Sequence, residues 1–497
     1  MNVSPRRPLF SRKPQSNIYR MFLWVVMLLG GVWILQQMNK GNIQPLFLPT
    51  PLPTRSAESY VLEGDAYFSA GKVNAAITAY QEAVRVDPND AEIWRKLARI
   101  QTYSSAFLIT NPEKKERLLQ ALESANKAVE LAAEDSAAHA IRAFTLDWNA
   151  NGNLYSTDQV QKYLIEAEKE ALIALQFDST NTLALAYYAE ILVDQQKWDQ
   201  AELYIKQAFE RPDADGLMDA HRVNAFVLES LGQYNLAITE YDKAIAIEPN
   251  FTFLYLRAGA NYRRLAFEIQ NPEAARPVYE KSLEYFDKAV DINKVIKVND
   301  PGPHLSIART YSQLGEFFAA ARNVQKALEY EPTNADIYGQ LGIIYFRSRN
   351  YEGSIFSLKC AIRGCSGEDS CFGRGLDKCY PDLGFNPVNV TGLAISPNTI
   401  VYYYTYGSVL AALSRPRDNK CGEAMQVLGE VTTEINAKPD DYADGRETIV
   451  SIVQAGETIC KSLAEGGAPI SSVANEAATY TPEADMSDAT ATASPSP

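Results

Sequence analysis

From residue 57 the chain repeats one pattern: a run with apolar or small side chains at helical spacing, a break, a second such run, and a turn. Ala57–Asp90, AESYVLEGDAYFSAGKVNAAITAYQEAVRVDPND, shows it in 34 residues, with the break around Ala70-Gly71 and the close at Asp87-Pro88-Asn89. Spacings of three and four put the apolar side chains of each half on one helix face. Glycine suits the turn between the halves, and proline ends the second. The pattern predicts a helix–turn–helix unit, and it returns at Met218–Phe251 and Pro301–Asn334.

Units begun at residues 57, 91, 136, 182, 218, 252, 301, 335 and 400 keep one register. Their eighth positions are all small: Gly64, Ala98, Ala143, Ala189, Ala225, Gly259, Ala308, Gly342 and Gly407. The second helix repeats Ala or Ser at Ala76, Ala121, Ala167, Ala201, Ala237, Ser282, Ala320, Ser354 and Ala424. Seven residues further on stands alanine again, except for Val431 in the last unit. Small side chains recur where two helices approach too closely for large ones. In period and register, residues 57 to 440 resemble the tetratricopeptide repeat family. The resemblance implies an all-α fold, a solenoid of helical hairpins stacked around a shared apolar seam with a concave face lined by the first helices. Units two, three and six carry about eleven or twelve extra residues between their helices, which either lengthen the helices or form surface loops. Glu447–Leu463 is amphipathic and is expected to cap the stack.

The region before the repeats reads differently. Met21–Leu35, MFLWVVMLLGGVWIL, has no charged side chain over fifteen residues. It spans roughly 22 Å as a helix, and Ile18 and Tyr19 extend it toward the ~30 Å of a bilayer core. A secretory signal peptide has an apolar stretch of similar length, but QQMNKGNIQPLF after it lacks a small-x-small cleavage site. The expectation is one N-terminal transmembrane helix. Arg6, Arg7, Arg12, Lys13 and Arg20 precede the span and only Lys40 closely follows it, which predicts a cytoplasmic N-terminus and an extracytoplasmic repeat body. The expected divisions are a basic arm over 1–20, the anchor over 21–38 and a proline-rich linker over 39–56. The repeat array takes 57–363, a cysteine-rich insertion 364–397 and the last repeat with its cap 398–463. Residues 464–497, rich in Ala, Ser, Thr and Pro, read as a disordered tail.

Charge and chemistry narrow the function. Net charge is −14, and beyond residue 40 there are 41 basic and 61 acidic residues. Such a body is a poor partner for a nucleic-acid backbone. The three histidines, His139, His221 and His304, all fall at position four of their units, a packing position elsewhere held by Tyr60, Trp94, Leu185, Tyr255, Tyr338 and Tyr403. Gly71-Lys72 is no phosphate loop, because Gly64 lies too far back and Val73 replaces the metal-binding hydroxyl. Hydrolase, dinucleotide and metalloprotease motifs are absent from the sequence, so neither catalysis, a cofactor, a metal nor a small-molecule substrate is expected. Cys360, Cys365, Cys371, Cys379, Cys421 and Cys460 are an even set confined to the last third of the chain. In an exported protein they read as disulfides rather than a zinc site, for no Cys-x-x-Cys is present. Cys421 opens the second helix of unit nine and Cys460 ends the next amphipathic stretch, so antiparallel packing predicts their pairing. The other four allow three pairings.

The resemblance also implies where partners bind. In that family, positions two, five, nine, twelve and thirteen of the first helix face the concave groove. From unit five onward this face collects Arg222, Arg263, Arg264, Arg309 and Arg347, with Phe226, Phe253, Phe346 and Tyr404 beside them. Forked guanidinium donors suit carboxylates, so the expected partner is a protein or peptide, acidic in character, held by a membrane-anchored scaffold. An equally available reading is that these arginines neutralise nearby acids such as Asp219, Glu229 and Asp336. A structural subunit of an envelope or secretion assembly, docked through the cysteine-rich loop and cap, is the alternative function. An enzyme built from scattered carboxylates is the remote one.

Overall fold

A computed structural model describes residues 17–40, 55–108, 110–443 and 445–465. The basic arm before residue 17, the linker over 41–54 and the tail beyond 465 lie outside the described residues.

Helix α1, Ile18–Asn39, starts where the Asn17 side chain accepts the Tyr19 amide at 3.1 Å. Its 22 residues rise about 33 Å, and its large apolar side chains are exposed all round. It is long and apolar enough to cross a bilayer, as a signal sequence near an N-terminus also is.

From Ala57 onward, every regular element among the described residues is a helix. Nine antiparallel pairs follow one another. They are α2–α3 (Ala57–Ser69, Val73–Val86), α4–α5 (Ala91–Ser104, Asn111–Leu131), α6–α7 (Ser136–Asn149, Thr157–Phe177) and α8–α9 (Thr182–Asp194, Trp198–Phe209). Next come α10–α11 (Met218–Ser230, Tyr234–Ile247), α12–α13 (Thr252–Glu268, Pro272–Ile296) and α14–α15 (Gly302–Gln313, Phe317–Tyr330). After α16–α17 (Ala335–Arg347, Tyr351–Arg363) a short α18 (Glu368–Gly373) interrupts, before α19–α20 (Ile400–Leu413, Cys421–Ala437) and a final α21 (Arg446–Ala464). The extra residues of units two, three and six lengthen second helices: α5 and α7 have 21 residues and α13 has 25.

The small positions explain the pairing. All the repeated alanines of the second helices, and those at the eighth position, are buried. Where the eighth residue is glycine, a large side chain four residues beyond the next helix's small position fills the space. A Cβ on Gly64 would sit 2.7 Å from the Tyr80 ring, and one on Gly259 2.5 Å from Phe286. Leu358 opposes Gly342 and Leu428 opposes Gly407 in the same way. The resulting seam consists of two large apolar cores, residues 68–258 and 308–460. Two small clusters lie at α12–α14 between them.

The stack closes on itself. Phe68 of α2 packs on Phe251 with ring centroids 5.5 Å apart. The Asn250 amide donates to the Ser69 carbonyl at 2.9 Å. Gly71, at φ +75°, leaves no room for a side chain, since a Cβ would meet the Asn250 carbonyl at 2.3 Å. The first unit is thus seated against the junction of the fifth and sixth.

In the insertion, Cys360 joins Cys365 and Cys371 joins Cys379. Ser357 of α17 donates to the Gly373 carbonyl at 2.7 Å, and the Leu393 amide to Ala361 at 2.8 Å. The loop therefore lies along α17 instead of hanging free. Cys421 at the start of α20 joins Cys460 near the end of α21, holding the cap to the last pair.

Candidate functional site

Closure decides what the concave face can do. Over units two to six it is filled by the protein's own side chains. Tyr103, Phe144, Trp148, Tyr187, Phe251 and Phe253 form a buried aromatic cluster; Phe144 and Tyr187 stack at 4.5 Å and Tyr103 meets Trp148 edge-on at 5.5 Å. Charged groups are threaded through it as closed pairs. Asp219 is 3% exposed and accepts from Arg99, from the Tyr103 hydroxyl and from Tyr187 at 2.8 Å. Arg99, first among the partners that offset the cost of burial, holds the Asp219 carboxyl below the usual aspartate range. Glu229 takes hydrogen bonds from Arg257 at 2.8 Å, Arg264 at 2.5 Å, Asn261 at 2.8 Å and Tyr241 at 3.2 Å.

Arg222 is the plainest correction to the groove expected from the sequence. Its guanidinium is buried, forks onto Glu190 at 2.7 and 2.6 Å, and donates Nε–H to the Tyr103 hydroxyl at 2.8 Å. All three of its nitrogens are thus engaged within the fold. Phe226 and Phe253 are buried too. Arg263 and Arg264, adjacent in sequence, diverge: Arg263 is buried over the Phe286 ring of α13 at 5.8 Å, while Arg264 stays about one-third exposed on Glu229. Tyr404 is buried in the second core. Arg309, Phe346 and Arg347 are half-buried, on first helices of units seven and eight. The structure does not gather the nine residues into one open surface.

Two acidic groups in the filled region were not foreseen. Asp147 is 1% exposed, and its hydrogen-bond partner is the carboxyl of Asp194. It lies beside Asp194, and burial raises both carboxyls, Asp194 to about 8; Asp194 then adds to the rise of Asp147, and Glu190 to that of Asp194. Arg99, Glu190, Asp147 and Asp194 occupy positions nine, nine, twelve and thirteen of their first helices. Those are the concave positions the resemblance pointed to, so the same register read in units two to four carried the signal.

The histidines pack as their position implied. His139 and His221 each set Nδ1 2.7 Å from a carboxylate of the paired helix, Glu170 and Glu240, and His304 faces Asn323 at 3.4 Å. Among the described residues no three His, Cys, Asp or Glu side chains gather to hold a metal ion.

Family models agree with this geometry at three places. A TPR repeat model matches residues 64–101, and tetratricopeptide repeat models match 225–251 and 324–356. The chain is a tetratricopeptide repeat protein. Among solved structures, it is similar to a thermophilic TPR protein of Thermus thermophilus, at 19% identity over 41% of this chain and 98% of that one, with a TM-score of 0.34. Human IFIT1, solved as a dimer with m7Gppp-AAAA, is 16% identical over 87% of this chain and 91% of its own, with a TM-score of 0.42. No curated protein matches the chain. Tetratricopeptide repeat arrays are protein–protein interaction scaffolds and are generally non-catalytic.

Proposed function

We propose that this tetratricopeptide repeat protein is a membrane-tethered scaffold that holds acidic segments of partner proteins outside the bilayer, on units six to eight. The observation that carries the reading is the division of the first-helix surface. Units two to six are packed shut but for the partly exposed Arg264, whereas Arg309, Phe346 and Arg347 keep part of their surface. Three guanidiniums beside an aromatic ring suit a carboxylate-bearing peptide with apolar residues between its charges. The apolar α1 and the basic residues that precede it support tethering with the N-terminus inside.

A photo-cross-linking amino acid at Phe346 tests the site in the anchored, full-length chain, with the same label at the fully buried Tyr187 as control. Partner adducts should form from position 346 and fade on Arg264→Ala/Arg309→Ala. Adducts that ignore those changes would remove the acidic-segment reading. For topology, protease added to intact cells should digest the body beyond residue 41, and a protected body would reverse the orientation.

A further inference from the structure

The turns inside units seven and eight lie side by side and line an open, shallow cleft of about 490 Å³. Phe318 and Arg322 of α15 form one wall, and Arg347, Ser348 and Arg349 form the other. Three features separate it from ordinary surface. First, its charge is unbalanced in the direction opposite to the chain's. Arg322 and Arg349 are exposed, and among the described residues neither is paired with a carboxylate. The carboxylate in the wall, Glu316, is already engaged by Arg276 at 2.9 Å. Second, Phe318 is 81% exposed on the first turn of α15, against the same cleft. Third, Arg349 sits at φ 62°. The matching turn residues of units one, five and seven are Gly71, Gly232 and Gly315 at φ 72–75°; Gln196 is the other exception, in unit four. A side chain in this left-handed region is strained, and strain of this kind collects where a side chain serves a purpose other than folding.

We infer that this cleft is the charged anchor point for an acidic peptide segment of a partner protein. Its carboxylates would lie on Arg322, Arg349 and Arg347, with an apolar side chain of the peptide against Phe318. The inference rests on the proposed scaffold function and extends its binding surface, through Arg347, from the concave face to the rim of units seven and eight. Forked guanidiniums bind carboxylates two bonds at a time, and the exposed Phe318 ring beside them supplies apolar contact. The surrounding surface argues for a short acidic stretch and against a nucleic acid. A polyanion of any length would run from three arginines onto the surface of a chain with 61 acidic residues against 47 basic ones.

The test uses the full chain in lipid nanodiscs. The probe is a short fluorescein-labelled peptide that alternates glutamate with phenylalanine, read by anisotropy beside its glutamine counterpart and a single-stranded oligonucleotide. The glutamate peptide should bind in preference to both, and Arg322→Ala and Arg349→Gly should each weaken it about tenfold or more. Arg349→Gly also guards against misfolding, since glycine relieves the turn and should leave thermal stability equal or higher. Phe318→Ser should weaken binding without altering its salt dependence. Arg264→Ala/Arg309→Ala should weaken this probe less than either Arg322→Ala or Arg349→Gly does. If that pair abolishes binding while Arg322→Ala and Arg349→Gly do not, the rim anchor is overturned and the concave reading stands. If all four are without effect, both readings fall. Equal binding of the glutamine peptide, or tighter binding of the oligonucleotide, overturns the proposal. So does a rise in affinity on removing residues 466–497, which would make the chain's own acidic terminus the occupant.

Discussion

Arg222→Met asks directly whether the concave face of the first units is core or groove. The Arg222 and Glu190 side chains are 4% and 3% exposed, so solvent screening offers no discount on their pairing. Methionine fills most of the volume, and what is lost is the charge, its two forked hydrogen bonds to Glu190 and the third to the Tyr103 hydroxyl. Removing one partner of a buried pair costs about 3–5 kcal/mol, because the other charge stays behind unpaired. That is a large part of the ~5–15 kcal/mol by which an ordinary domain is stable. Arg222→Met/Glu190→Gln removes the stranded charge and keeps an acceptor for the Trp148 indole, which donates to Glu190 at 3.1 Å. The double variant should regain more than half of the loss. Urea titration can follow both changes, with tryptophan emission reporting the Trp148 site and far-ultraviolet circular dichroism the whole array. An Arg222→Met protein within ~0.5 kcal/mol of the parent, the usual range for a surface change, would mean that Arg222 stands in an open groove and that the closed core is wrong.

The aspartate pair predicts a pH dependence of defined sign. Unfolded aspartate titrates near ~4, whereas Asp194 in the fold is raised to about 8, so the folded state holds extra protons between these values. Stability should fall as pH rises through that window, and Asp194→Asn should flatten the urea midpoint between its two ends. Gly64→Ala would press a methyl into the Tyr80 ring, 2.7 Å away, and should cost about 1–3 kcal/mol by overpacking, read as a lower urea midpoint. Loss of the Cys421–Cys460 link, which spans 39 residues, should cost about 4 kcal/mol on the chain-entropy account. Loss of Cys360–Cys365, separated by five, should cost about 2 kcal/mol. Paired serine variants measured without reductant give both numbers.

Local features of the fold were legible because they repeat. The small positions report a distance between two helices, and that distance is the same in every pair, so nine copies of one constraint identify the hairpins and their starts. The Cys421–Cys460 pairing was legible for a similar reason: consecutive antiparallel helices bring a beginning to an end. Pairing among Cys360, Cys365, Cys371 and Cys379 was not, since spacing alone permits each choice. The fate of the concave side chains was least visible. Whether Arg222 faces solvent or Glu190 depends on how much each pair rotates against the last, summed over several units, and on the extra turns of α5, α7 and α13. No single position encodes that sum. Arg263 and Arg264 show the limit most sharply. One residue of separation sends one guanidinium to the second helix and the other to the shared carboxylate of Glu229.

The seating of Phe68 on Phe251 also sets an order of events during synthesis. Most hairpins of such an array can form as they leave the ribosome, because their contacts are local and each closes only a short loop. The first pair is different, for its outer face waits on Asn250 and Phe251, some 180 residues downstream in the chain. Until those emerge, Phe68 and the aromatic cluster behind it stand uncovered at the leading end of a nascent protein, the condition in which chains mispair or aggregate. The repeat made first is thus the one completed late, and a helper protein that shields a growing chain has its clearest target there.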